Sequence, residues 1–138
     1  YHRDRCATLV VDVGSAMTID LVSPDGQHQG GYILPGMRLM RESLWRGTHQ
    51  VKVDAIDVTS VLVPGMHTAD AVNKGCLLAA VAAVEKLASE YPAAIVVTGG
   101  DALELIDALS LKAKHRPDLV LEGLSMGGVA MLPYEPAL

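Results

Sequence analysis

The chain of 138 residues is predicted to fold as one α/β domain built around a mixed five-stranded sheet. Two observations predict this class. The beginning of the chain carries three strand-like segments joined by very short connections, which only antiparallel neighbours allow. The rest alternates helix-like and strand-like segments, which is typical of parallel strands joined through helices. The predicted order is therefore βββααβαβα, with three antiparallel strands followed by β–α repeats.

The three antiparallel strands are predicted at residues 7–13, 17–23 and 28–34. The first two are rich in Val, Ile and Leu, and the third includes Tyr and Ile, which are all residues that favour strands. Pro24-Asp25-Gly26 is a tight-turn signal between the second strand and the third. The three segments therefore form an antiparallel meander.

Two helices are predicted after the meander. The first, at residues 36–47, carries an apolar stripe, and Arg38 and Arg41 lie off that stripe, so both are expected on a solvated face. The second, at residues 68–91, is rich in Ala and apolar almost all round, so it is expected to be largely buried. Residues 48–66 carry mixed signals and are predicted to form a long connection or flap.

A fourth strand and a third helix come next. Residues 93–98 form a continuous run rich in Ile and Val, as expected of a central parallel strand. Gly99 and Gly100 then form a turn. Asp101 with Glu104 resembles a capping box, which predicts a helix that ends near residue 109.

The last part of the chain is predicted to contain a fifth strand, at residues 117–122, and a final helix that begins at Gly123. The tail from Pro133 is expected to be loose, because the ends of domains are poorly ordered unless they are tied down.

Composition argues against two classes of function. The net charge is −5, whereas nucleic-acid binding usually requires a basic patch. No segment approaches the roughly 20 apolar residues of a membrane span, and no secretory signal peptide is recognisable. Cys6 and Cys76 lack the spacing of metal ligands, so they are expected to be reduced thiols. These observations predict a cytoplasmic protein that binds neither nucleic acid nor membrane.

A turn suited to phosphate chemistry follows the first strand. That strand delivers Asp12 into a turn that contains Gly14 and Ser15. Such a turn exposes backbone N–H groups to an anion, and a carboxylate can hold a cation beside it. The structural alternative is a strand-end acid that hydrogen-bonds its own turn, with Ser15 as an ordinary turn residue. The pattern favours phosphoryl transfer.

Five motifs resemble those of the type III pantothenate kinases, in family order. They are Asp12–Asp20, Gly30–Gly36, Thr68–Val72, Thr98–Asp101 and Pro117–Val120. The resemblance covers most of the chain and implies that residues 1–138 form one ribonuclease-H-like domain of the actin-like kinase superfamily. The family's first phosphate turn, and the segment that carries its proposed catalytic base, correspond to positions before Tyr1. The chain is therefore expected to be the C-terminal half of a two-domain kinase, with no catalytic base of its own.

The resemblance also implies a nucleotide site. Asp12 corresponds to the ligand of a monovalent cation, K⁺ or NH₄⁺, and Mg²⁺ is expected together with ATP. Ser15 stands where the family usually has Thr. Thr18 and Asp20 either support the site or serve only the second strand. The implied ATP contacts are Gly14, Ser15, Gly99, Gly100 and Gly123.

Thr68 resembles the threonine through which the family contacts pantothenate, although a Thr before a long helix is also a good N-cap, and both roles stay open. The implied function is ATP-dependent phosphorylation of pantothenate to 4'-phosphopantothenate, the first step of coenzyme A synthesis, by a homodimer. One alternative is a non-catalytic accessory, regulatory or dimerisation module of the same family. Another is an actin-like kinase for a sugar or acetate, which the Gly30–Gly36 motif disfavours.

Overall fold

The computed structural model describes residues 6–47 and 61–126, which form a five-stranded sheet and four helices. The strands are β1 (Thr8–Val13), β2 (Ala16–Val22), β3 (His28–Pro35), β4 (Ala94–Thr98) and β5 (Ala113–His115). Their order in the sheet is β3-β2-β1-β4-β5. The first three strands are antiparallel, whereas β4 pairs in parallel with both β1 and β5. The predicted mixed sheet, with its leading antiparallel meander, is therefore confirmed.

The helices are α1 (Met37–Gly47), α2 (Thr68–Glu90), α3 (Ala102–Ala108) and α4 (Leu119–Met126). The core lies on one face of the sheet, where alternate residues of β1, β2 and β4 are buried against α1, α2 and α3. Leu9, Val11 and Val13 of β1 are at most 1% exposed. Residues between them, such as Val10 and Asp12, belong to the opposite face and are half-buried. In the described part of the chain, no helix is both long and apolar enough to span a bilayer.

Only one face of α2 is buried, so the prediction that this helix is largely buried is wrong among the described residues. The buried positions are Cys76, Leu77, Ala80, Val81, Val84 and Leu87. Leu78, on the other side of the helix, is 55% exposed. The helix packs against a single layer, and its many alanines leave the outer face apolar without giving it a partner within the described residues.

The fifth strand was predicted in the wrong place. β5 is the short segment Ala113–His115, and the predicted strand at residues 117–122 instead contains the start of α4. Pro117 is compatible with a helix entry because its fixed φ suits the first turn. Periodicity alone does not show whether a short apolar run such as Leu119–Leu121 forms a strand or part of a helix. Gly123 therefore lies inside α4 rather than at its beginning.

Two predicted helix caps are absent. Asp101 occupies the N-cap of α3, but its carboxylate makes no capping hydrogen bond. Its backbone, at φ −103° and ψ 14°, is not in the extended conformation in which a side chain reaches back. The capping box with Glu104 is therefore wrong. The N-cap of α2 is His67, so Thr68 lies in the first turn and does not cap the helix.

Both cysteines in the described residues are free thiols, as predicted. Cys6 is half-buried, whereas Cys76 is 5% exposed in the core face of α2. Burial raises the pKa of the Cys76 thiol, and the nearby Arg41 guanidinium opposes that shift in part. Cys76 is therefore a packed, protonated thiol.

Candidate functional site

Three connections of the fold meet at the carboxyl end of β1. Asp12 lies opposite Thr18 of β2 on one side and Thr98 of β4 on the other. The β1–β2 turn, the β3–α1 junction and the β4–α3 turn are all at this end, because β1, β3 and β4 run in the same direction. Ligands of α/β proteins bind beyond the carboxyl ends of such strands.

The β1–β2 turn is held from one side by the start of α1. The Gly14 N–H donates to the carbonyl of Ala16 at 3.0 Å, which closes the turn. The Gly36 N–H donates to the carbonyl of Ser15 at 2.9 Å. A Cβ on Gly36 would lie 2.0 Å from the Gly14 carbonyl oxygen, so this approach requires glycine.

The β4–α3 turn closes the other side. Gly99 has a φ of +97°, and a Cβ there would lie 2.4 Å from the Val13 carbonyl oxygen and 2.6 Å from Asp12 Oδ1. The Asp101 N–H donates to the same Val13 carbonyl at 3.0 Å. The Asp12 carboxylate is therefore flanked by backbone that approaches closely only because residue 99 is glycine.

Asp12 fits a monovalent cation ligand. Its side chain is half-buried, yet within residues 6–47 and 61–126 no hydrogen bond or ion pair satisfies the carboxylate. A half-buried carboxylate without a partner is unfavourable. The described residues also contain no group of three or more His, Cys, Asp or Glu that could hold a metal ion. One carboxylate beside backbone oxygens is a small ligand set, which suits a single positive charge better than a divalent ion held by protein groups alone.

The other predicted ATP contacts divide into two groups. Ser15 and Gly100 are exposed in the two turns that flank Asp12, and a Cβ on Gly100 would meet no atom within 4 Å. Gly123 lies on the second turn of α4, where a Cβ would also meet nothing. α4 is tied to the same end of the sheet, because the Arg116 N–H donates to the carbonyl of Val97 at 2.9 Å. Gly123 is therefore placed by its helix rather than by a turn.

Thr68 lies at a separate groove between α1 and α2. The groove has a volume of about 640 Å³ and is lined by Met40, Ser43, Leu44, Thr68, Ala71, Val72, Gly75 and Cys76. Its lining is mostly apolar, with the hydroxyls of Thr68 and Ser43 among its few polar groups. Met40 lies about 6 Å along α1 from Gly36, given the rise of a helix. The start of α1 therefore contacts the Asp12 turn, and the next turn of the same helix lines the groove.

Asp20 serves the sheet and lies outside this site. Its Oδ1 lies 2.7 Å from Nε2 of His28 on the neighbouring strand. A Cβ on Gly31 would lie 2.5 Å from the same oxygen, so the carboxylate lies directly over that glycine. Thr18, opposite Asp12, is half-buried and nearer the turn.

Two residues near the site have positions that the sequence did not predict. Gly36 is one, and only its place after Pro35 at the start of a helix marks it as unusual. The other is Arg41, which is 6% exposed and contacts Glu104 of α3, so its predicted solvated position is wrong. Arg41 follows the buried Met37 by four residues and therefore shares its face, which is the signal that could have found it.

Comparison with protein families identifies relatives of this chain. The family model described as type III pantothenate kinase matches residues 1–90. The type III pantothenate kinase of Ectopseudomonas mendocina is 44% identical over 135 residues, which cover 91% of this chain and 54% of that protein. The one from Chromohalobacter salexigens is 43% identical over 121 residues, which cover 83% of this chain and 43% of that protein. The chain thus spans about half the length of the curated relatives it matches.

A solved structure has a similar fold. It is a protein of Campylobacter jejuni, described as a candidate Baf family transcriptional activator, with a TM-score of 0.62 and 27% identity. The similarity covers 87% of this chain and 56% of that one. The family model spans most of the elements that build the Asp12 turn and the Thr68 groove. The chain belongs to the type III pantothenate kinase family.

Proposed function

We propose that this chain forms part of an ATP-dependent kinase that converts pantothenate to 4'-phosphopantothenate at the start of coenzyme A synthesis. The observation that carries the proposal is the unpartnered carboxylate of Asp12 between two turns that only glycine allows. The names of the relatives support the substrate. The proposed architecture is a ribonuclease-H-like domain that supplies one half of an actin-like kinase site, in keeping with the half-length match to those relatives.

In this proposal the β1–β2 turn receives the phosphates of ATP. The Ser15 hydroxyl contacts the phosphate oxygens, Gly14 lets the phosphates approach the turn closely, and Gly99, Gly100 and Gly123 lie on the nucleoside side. A K⁺ or NH₄⁺ ion held by Asp12, together with Mg²⁺ on ATP, would offset negative charge during transfer. The turn positions the phosphates, and the glycines give the nucleotide access to the backbone.

Pantothenate is proposed to lie in the groove between α1 and α2, with the Thr68 hydroxyl as its contact. The exposed outer face of α2, which includes Leu78, is proposed to contribute to a homodimer. Its apolar character supports that assignment, because such faces are typical of subunit interfaces. A cytoplasmic location is proposed from the free thiols.

A second candidate function is a non-catalytic regulatory or accessory module. The similarity to the Campylobacter jejuni protein favours it, since that protein is described as a candidate transcriptional activator. The net charge of −5 speaks against direct binding of DNA by this chain. A regulatory module of this kind would therefore act through another protein.

An assay of pantothenate phosphorylation separates the two functions. The intact gene product and the 138-residue chain are each incubated with ATP, Mg²⁺, K⁺ and pantothenate, and 4'-phosphopantothenate is measured by mass spectrometry. We expect turnover by the intact gene product and none by the chain alone. Turnover by the chain alone would remove the half-site proposal, and no turnover in either sample would favour the regulatory module.

Thr68→Ala is expected to raise the KM for pantothenate about tenfold and to leave the KM for ATP nearly unchanged, through loss of one hydrogen bond to a buried polar group. The melting temperature should stay constant, because His67 and not Thr68 is the N-cap of α2. Steady-state kinetics of the intact gene product measure the effect. Thr68→Ser is the matched control and should keep most of the affinity. A changed melting temperature with unchanged KM values would contradict the assignment.

A further inference from the structure

One buried ion pair joins two helices of the proposed nucleotide site. Arg41 of α1 forms two contacts with the Glu104 carboxylate of α3: Nη2 contacts Oε1, and Nη1 lies 3.4 Å from Oε2. The two side chains are 8% and 13% exposed. Both oxygens of the carboxylate are therefore engaged by one guanidinium, an arrangement that fixes orientation as well as distance.

Two close backbone approaches enclose Asp12, one at Gly36 and one at Gly99, and we call them the two walls of the site. The ion pair lies about one helical turn from each wall. α1 starts directly after Gly36, whose N–H donates to Ser15, and Arg41 is in its second turn. α3 starts directly after the Gly99 turn, and Glu104 is in its first turn. The ion pair thus bridges the helix that holds the β1–β2 turn and the helix that follows the β4–α3 turn.

Stabilising the fold does not by itself explain this ion pair. Arg41 Nε is buried without a hydrogen-bond partner among the described residues. A buried ion pair loses the hydration of both charges, and well-packed apolar residues of similar size often stabilise a core equally well or better. An incompletely satisfied buried guanidinium is less favourable still. What the ion pair provides, and apolar residues of similar size would not, is therefore a fixed geometry between α1 and α3.

We propose that Arg41 and Glu104 are positioning residues that set the separation of the two glycine walls around Asp12 and so tune the binding of ATP and its monovalent cation. The inference rests on the proposed kinase function. Neither side chain is proposed to touch the nucleotide or the cation. It acts by holding the Ser15 turn and the Gly99 turn at the spacing at which phosphate and cation bind together.

The test replaces the pair by apolar residues of similar size, Arg41→Met with Glu104→Leu, in the intact gene product. This double variant should keep its melting temperature, because both charges leave the core together. We expect the KM for ATP and the K⁺ concentration for half-maximal activation each to rise about fivefold or more. The KM for pantothenate should change less than about twofold, since neither Arg41 nor Glu104 lines the groove in which pantothenate is proposed to lie. Arg41→Lys, which keeps the charge but loses the two-point contact, should give an intermediate value.

The exposed ion pair between Lys86 and Glu90 on α2 provides the control. Lys86→Met with Glu90→Leu, on a helix that does not border the Asp12 turns, should leave the KM for ATP and the K⁺ dependence unchanged. Wild-type kinetics in the Arg41/Glu104 double variant would overturn the inference, as would an equal change in all constants or an effect confined to melting temperature. Absence of pantothenate phosphorylation in the wild-type protein would instead overturn the proposed function, so the two failures are distinguishable.

Discussion

Gly36→Ala is expected to destabilise the domain by about 3 kcal/mol, the upper end of the usual range for an overpacked core. The new Cβ would lie 2.0 Å from the carbonyl oxygen of Gly14 and 2.6 Å from that of Ser15. Both atoms belong to the backbone of the turn, so no flexible side chain can move aside. Either the turn or the start of α1 must shift, and the hydrogen bond from the Gly36 N–H to Ser15 is lost. Equilibrium denaturation in urea measures the change in the free energy of unfolding.

Gly75→Ala is the matched control for this substitution. Gly75 lies inside α2, and a Cβ there would meet no atom within 4 Å. Alanine at this position should stabilise the domain by roughly 0.5–1 kcal/mol through helix propensity alone. The same chemical change is thus expected to have opposite signs at the two glycines. Equal unfolding free energies for Gly36→Ala and the wild type would contradict this prediction, because they would mean that the backbone accommodates the new Cβ without strain.

Asp12→Asn is expected to abolish activation by K⁺ or NH₄⁺ and to lower kcat/KM about a hundredfold, the size of effect seen when one preorganised electrostatic group is lost. The amide nearly preserves the shape of the carboxylate but removes its charge. Stability should be unchanged or slightly higher, because no described residue pairs with the acid. Initial rates of pantothenate phosphorylation by the intact gene product, titrated with K⁺, measure the effect.

Asp107→Asn, at an exposed position on α3, controls for the general loss of one negative charge. It should leave the rate and the K⁺ dependence as they are. If Asp12→Asn behaved in the same way, Asp12 would be only an acid at a strand end, and the cation would have to bind elsewhere or not at all.

The sequence predicted the structure best where the pattern that determines an element lies within a few neighbouring residues. The meander follows from short connections and strand-forming residues, and the position of Asp12 at the end of an apolar strand marks the turn. The strand predicted at residues 117–122 failed because an apolar run bounded by Pro117 fits a strand and a helix entry equally well. The capping box failed because Asp101 does not take the backbone conformation that a capping side chain requires.

The walls of the site could not be predicted from local pattern. The contact of Gly36 with Gly14 depends on how β3 returns past β2 and is invisible until the strands are paired. The burial of Arg41 depends on a carboxylate, Glu104, far along the chain. The spacing from Met37 places Arg41 on the buried face, but an arginine is almost never fully buried unless it is paired, and local pattern does not show the partner on α3.

The two walls around Asp12 differ in when they can form during folding. The Gly36 wall closes within the local β1–β3 meander, whereas the Gly99 wall requires β4 to pair in parallel with β1 across most of the chain. Contacts between distant segments lose more chain entropy before they gain stability, so they tend to form late. We expect mutational φ-values well above zero at Met17 and near zero at Val97. The reverse order would contradict this sequence of events. In the expected order, Asp12 is enclosed only late in folding, when β4 joins the meander.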